Sequence, residues 1–141
     1  MKLDIHTKAV RSYNMSHIKA KDTKPELKIR QFLFSKGFRF RKNDKRLPGA
    51  PDIVLTKYKT VIFVNGCFWH VHENCKYFTL PKSNSDFWKQ KLQDNKERDE
   101  RVYRKNRELG WNVIIVWQCE IKGKLFLPRM ERLIQQIREQ N

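Results

Sequence analysis

Two apolar runs constrain this chain more than anything else in it. Val61-Ile62-Phe63-Val64 has the pattern of a buried strand, and residues 111–117, WNVIIVW, form a nearly continuous run expected of a strand covered on both faces. Between them lies a charged stretch, from about Asp86 to Leu109, long enough for a helix and stopped at Gly110. Buried strands separated by a helix require a sheet with helices packed against it.

The remaining elements follow from local signals. DTKPELKIRQFLFSKG predicts a helix in which Thr23 caps, Pro25 sits in the first turn, Glu26 completes a Thr-x-x-Glu capping box and Gly37 ends it. Leu27, Ile29–Arg30, Leu33 and Phe34 give its inner face. Residues 38–42 alternate as a strand, with Phe38 and Phe40 on one side, and NDKRLPGAP is a loop. DIVL and TVIFVN are two strands joined by TKYK, an antiparallel pair. An amphipathic helix from Pro128 to about Glu139 closes an order of α–β–β–β–α–β–α. With 141 residues, no repeat and no linker, a single domain over 1–141 is expected, with a basic arm at 1–21 and a core at 22–141.

Charge narrows the partners. Lys and Arg number 31 against 15 Asp and Glu, a net charge of +16, and residues 1–50 hold 14 basic against 4 acidic groups. Such a chain meets a polyanion, and nucleic acid is the commonest. No apolar run approaches the roughly 20 residues that span a bilayer, so no membrane role is expected. The chain opens without a basic-then-apolar leader, which points to a cytoplasmic, reducing compartment. There, three cysteines near histidines read as metal ligands rather than a disulfide framework.

The ligand set is Cys67, His72, Cys75 and Cys119, with His70 as a substitute for His72. Thiolate and imidazole suit tetrahedral zinc, and Cys67-x4-His72-x2-Cys75 can wrap one ion. Cys119 follows directly on the run 111–117, so one sheet could deliver both ends of the site. Four closed ligands make such a zinc structural. His70 is then free for general acid/base work. On the long helix, the stripe from Trp88 and Leu92 continues through Asn95, Asp99, Val102 and Asn106. An inward carboxylate is expensive unless paired. Either Asp99 stays in solvent or it has a cationic or imidazole partner.

LPGAPDIVL followed by TVIFVN places an Asp after a Pro at the start of a strand with a second strand beside it. That is how PD-(D/E)xK nucleases present a carboxylate to magnesium, which stabilises charge building on a phosphate. The usual Asp/Glu-x-Lys partner is missing, because the next strand reads Phe63-Val64-Asn65-Gly66. Taken with MSHIKAKDTKPE, LPGAPD, VIFVNGCFWH, FW, ERD and ELGWNVIIVWQC in this order, the chain closely resembles the very short patch repair (Vsr) DNA mismatch endonucleases.

The resemblance implies an α/β, restriction-endonuclease-like fold, with a central mixed sheet flanked by helices and a zinc loop. It implies magnesium-dependent nicking of one strand of double-stranded DNA beside a T:G mispair, by a prokaryotic, nucleoid-associated monomer working alongside repair-pathway proteins. By position, Asp52 looks like the magnesium ligand, assisted by the Val64 carbonyl. His70 resembles the catalytic imidazole, Asp99 the carboxylate that orients it, and Glu26 a further acid acting through metal-bound water. Cys67, His72, Cys75 and Cys119 match the zinc ligands. Phe68, Trp69 and Trp88 resemble aromatics that push into the duplex, and Met15 and Ile18 residues that grip it from the minor groove. Prising a base step open costs a few kcal/mol, less at a mispair, so such a wedge selects weakened sites. One departure is Asn65, where the best-known members carry a second catalytic histidine; an amide cannot shuttle a proton near neutral pH. The zinc loop is also one residue longer between His72 and Cys75. Two rivals remain: an endonuclease of the same fold without a mismatch requirement, and a non-catalytic zinc-stabilised DNA-binding module.

Overall fold

The computed structural model describes residues 23–76 and 78–139. The expected basic arm, with Met15 and Ile18, lies outside the described residues.

Helix α1, Lys24–Ser35, begins where Thr23 Oγ1 accepts the Glu26 N–H at a long 3.4 Å. The Glu26 side chain turns inward instead of marking an exposed helix end: it is 2% exposed and meets Arg30 Nη2 at 3.0 Å. The buried face is therefore Glu26, Ile29, Arg30 and Leu33. Leu27 and Phe34, expected on that face, are exposed, because one residue of rotation brings the ion pair inside. The helix ends at Gly37 as expected. At φ +91° it lets its own N–H reach the Phe34 carbonyl while the Phe38 N–H reaches Leu33. That closure pins Phe38 into the core against Tyr58, so the strand expected over 38–42 shrinks to β1, Arg41–Lys42.

β2, Ile53–Leu55, and β3, Thr60–Asn65, pair antiparallel as expected, with Ile53 opposite Ile62. The chain then crosses through α2, Ser85–Glu108, into β4, Asn112–Trp117, which runs parallel to β3. The sheet order is β1-β2-β3-β4, a mixed sheet with helices. α3, Phe126–Glu139, starts two residues before Pro128, whose ring is tolerated in a first turn.

Alternation divides the sheet into two apolar layers. Ile53, Leu55, Ile62, Ile114 and Val116 pack with Ile29, Leu33, Met130 and Leu133 of α1 and α3. Val54, Val61 and Phe63 face the other way, towards Val102 and Tyr103 of α2. Only Ile114 and Val116 of β4 are fully buried; its other residues are partly covered, because α2 shields that face incompletely. Among the described residues no helix is long and apolar enough to cross a membrane.

Candidate active site and metal centre

The site grows from the carboxyl ends of β3 and β4. Their parallel register sets Asn65 opposite Trp117, so Cys67 and Cys119 each follow two residues beyond a paired position. The ligand atoms of Cys67, His72, Cys75 and Cys119 all lie within 4.8 Å of one another, with Cys119 Sγ 3.3 Å from His72 Nδ1. Tetrahedral zinc, with bonds of about 2.0–2.3 Å, needs donors roughly 3.5–4 Å apart, so the cluster fits such an ion. Burial and the adjacent thiols push Cys119 up to about 12, and burial raises Cys67 as well. Without a cation these groups are held as thiols; a bound metal ion would take them as thiolates. The cluster can bind a structural metal.

His72 belongs to this cluster and His70 does not. Val71 between them takes the left-handed conformation, φ +53°, which is costly for a β-branched residue. The turn at Val71 separates the two rings. His70 Nδ1 lies 2.6 Å from Asp99 Oδ2, with side chains 26% and 14% exposed. The inward Asp99 thus has an imidazole partner, not a solvent position. One turn earlier on α2, Asn95 Nδ2 donates to the Trp69 carbonyl at 3.2 Å and ties the aromatic loop to the same helix face.

At the other side of β3, the Val64 N–H donates to Asp52 Oδ2 at 2.6 Å, and Arg30 Nη2 donates to the Asp52 backbone carbonyl at 3.2 Å. Burial pushes the Asp52 carboxyl up to about 7; the Val64 N–H and Arg30 oppose this, and the neighbouring Glu26 carboxylate adds to it. Glu26 and Arg30, both buried, and the partly buried Asp52 therefore form one group containing two carboxyls and one guanidinium. A divalent cation suits the surplus of oxygen donors. Asn65 is 3% exposed and donates through Nδ2 to the Tyr103 hydroxyl at 2.7 Å.

The aromatics gather beside the metal cluster. Phe68 lies 5.0 Å from Trp69 and 5.5 Å from Trp88, centroid to centroid, and Trp69 and Trp88 are 5.8 Å apart. All three are half-buried. Sequence reasoning missed Arg30, Tyr103 and Trp117. The first two were legible in principle, since Glu26/Arg30 and Asp99/Tyr103 both have i, i+4 helix spacing. Trp117 was not, because its stacking on His72 depends on strand register.

A family model described as DNA mismatch endonuclease Vsr matches residues 3–76. The type II nicking enzyme V.NmeAIP of Neisseria meningitidis serogroup A is 50% identical over 96% of this chain and 97% of its own length. The DNA mismatch endonuclease Vsr of Escherichia coli K12 is 45% identical over 86% of this chain and 77% of its own. The type II nicking enzyme V.XorIIP of Xanthomonas oryzae is 46% identical over 79% of this chain and 81% of its own. Fold and relatives together define a DNA endonuclease, a hydrolase of phosphodiester bonds. The chain belongs to the Vsr family of DNA mismatch endonucleases.

Proposed function

We propose that this protein nicks one strand of double-stranded DNA beside a T:G mispair, with magnesium at Asp52 and zinc at the cysteine cluster. The observation that carries the reading is the His70–Asp99 bond of 2.6 Å on the loop that follows β3, the strand whose Val64 N–H grips Asp52. A base and an acidic cation site then flank one strand end. The arrangement is that of a restriction-endonuclease-like, PD-(D/E)xK-type sheet lacking the usual lysine.

Each residue has a role. Asp52 would hold the metal with the Val64 carbonyl, because a strand residue directs its N–H and C=O to the same edge. Magnesium there would neutralise charge gathering on the scissile phosphate. Glu26, ion-paired with Arg30 at 3.0 Å, would orient water at that position. Asp99 fixes the His70 tautomer by accepting the Nδ1–H, which leaves Nε2 to take a proton from the attacking water. Asn65 fills the position of a second imidazole without its proton chemistry. Cys67, His72, Cys75 and Cys119 would hold zinc, which would fix the loop that presents Phe68, Trp69 and Trp88 to the mispaired step. Residues 1–21, with Met15 and Ile18, clamp the duplex from the minor groove. The whole chain acts as one domain and a monomer, in the bacterial cytoplasm on nucleoid DNA, handing its nick to repair-pathway proteins.

The test is nicking of end-labelled duplexes with magnesium, T:G mispaired against fully matched, with Asp52→Ala and His70→Ala alongside. Cutting of the T strand at the mispair, lost in both variants, is the expected result. Equal cutting of both duplexes would instead favour a nicking enzyme without a mismatch requirement. Tight binding with no cutting in any duplex would leave a DNA-binding module.

A further inference from the structure

The proposed base, His70, takes a proton from water, and the reaction also needs a proton for the departing sugar oxygen. Asn65, at the strand end where such a donor would stand, is an amide and has none to give. Its side chain is nevertheless 3% exposed, and its Nδ2 is committed to the Tyr103 hydroxyl at 2.7 Å. Direction matters here. The amide donates into the phenol oxygen, so the Tyr103 O–H proton is not spent on Asn65. Tyr103 lies one turn beyond Asp99 on α2 and lines the same open groove as His70 and Asp99, a space of about 300 Å³. Of the other titratable groups in that groove, His72 belongs to the cysteine cluster, Lys96 is paired with Glu73, and Glu73 and Glu100 are exposed carboxylates.

We infer that the Tyr103 hydroxyl, aimed by Asn65, is the general acid of this enzyme, donating its proton to the leaving oxygen of the scissile phosphate. The inference rests on the proposed nuclease site. As the water oxygen bonds to phosphorus, its proton passes to His70 Nε2. The bond from phosphorus to the leaving oxygen breaks, that oxygen takes the Tyr103 proton, and the phenolate recovers a proton from solvent. A phenol suits the task because it stays protonated at neutral pH yet is more acidic than the alcohol it creates. Burial, with Asp99 and Asp52 nearby, keeps Tyr103 in its protonated form by raising it to about 12. The ring is held independently of the hydroxyl, edge-on to Phe63 at 5.1 Å, so removing the oxygen alone should leave the packing in place.

The experiment compares single-turnover nicking by the wild type, Tyr103→Phe, Asn65→Asp and Asp52→Ala on two T:G duplexes. One is ordinary DNA, and the other carries sulfur in place of the leaving oxygen at the nicked bond. Sulfur leaves without a proton. Tyr103→Phe is expected to slow the ordinary substrate about 10²-fold, within the range of general acid catalysis, and to cut the sulfur substrate at the wild-type rate. Asn65→Asp, which accepts the phenol proton instead of donating to the oxygen, should show the same split; melting curves should show both variants folded, with a lowered melting temperature where a buried polar group is left short of its partner. Equal slowing on both substrates would overturn the inference and make Tyr103 a structural residue. An unchanged rate on ordinary DNA would overturn it as well. Wild-type cutting that survives Asp52→Ala would instead remove the nuclease site on which the inference rests.

Discussion

The Trp117 indole lies flat on the His72 imidazole, with ring centroids 4.1 Å apart and planes 7° from parallel. Trp117 is the last residue of β4 and is paired in register with Asn65. The stack therefore ties a ligand of the metal cluster to the rigid sheet and fixes the ring plane with Nδ1 towards Cys119.

Groups that orient metal ligands typically contribute 10–100-fold to metal affinity. Trp117→Ala is expected to weaken zinc retention by about that factor, measured by competition with a chromogenic chelator, whereas Trp117→Phe keeps a stacking face and most of the affinity. Unchanged zinc retention in Trp117→Ala would mean that the three thiolates alone hold the site.

Asp52 gives a pH dependence with a definite sign. Its folded-state carboxyl is raised from 3.8 to about 7, so between those values the folded, metal-free protein holds a proton that the unfolded chain has released. Stability is then greatest at the acid end of this window and falls as pH rises towards 7, by a few kcal/mol at most. Thermal unfolding in chelator across that range should show the fall, and Asp52→Asn should flatten it. Magnesium competes with the same proton, so its affinity should drop below about pH 7; titration calorimetry at pH about 6 and 8 would measure this. A magnesium affinity independent of pH would place the ion elsewhere.

Asp99→Asn keeps the size of the side chain but cannot stabilise a protonated His70. Nicking is expected to fall by about 10²–10⁴-fold, with DNA affinity and the melting temperature near wild type. If affinity falls in proportion to rate, Asp99 shapes the loop instead of serving the imidazole.

Gly49 approaches α2 too closely for any side chain. A Cβ there would collide with Val102 Cγ1, on a backbone at φ +73°. Gly49→Ala should destabilise the protein by about 1–3 kcal/mol and shift the loop that carries Asp52, lowering activity beyond the loss of folded protein. Denaturant unfolding together with nicking per folded molecule would separate the two effects.

The N-terminal surplus of charge predicts a salt effect. Removing residues 1–20 should weaken DNA binding and flatten the dependence of log affinity on log salt by about 0.9 for each phosphate that the arm neutralises. An unchanged slope would show that the core alone neutralises the DNA.

Much of this protein was determined by its sequence. The runs 61–64 and 111–117 required a covered sheet, Gly37 and Gly110 required helix ends, and three cysteines beside a histidine offered a ligand set for a cation. These are local signals, carried by side-chain periodicity, backbone freedom and ligand softness. Tertiary structure decided what depends on distant segments meeting. The sequence left His70 and His72 interchangeable; the left-handed Val71 and the nearness of Asp99 separate them. Leu27 and Phe34 looked like core residues, but burial of the Glu26–Arg30 pair turned them outward. The Trp117 stack and the Asn65–Tyr103 bond arise only when β3 meets β4 in parallel register and α2 folds back across them. Sequence specifies which groups can form a site. Strand register and helix packing specify which of them meet.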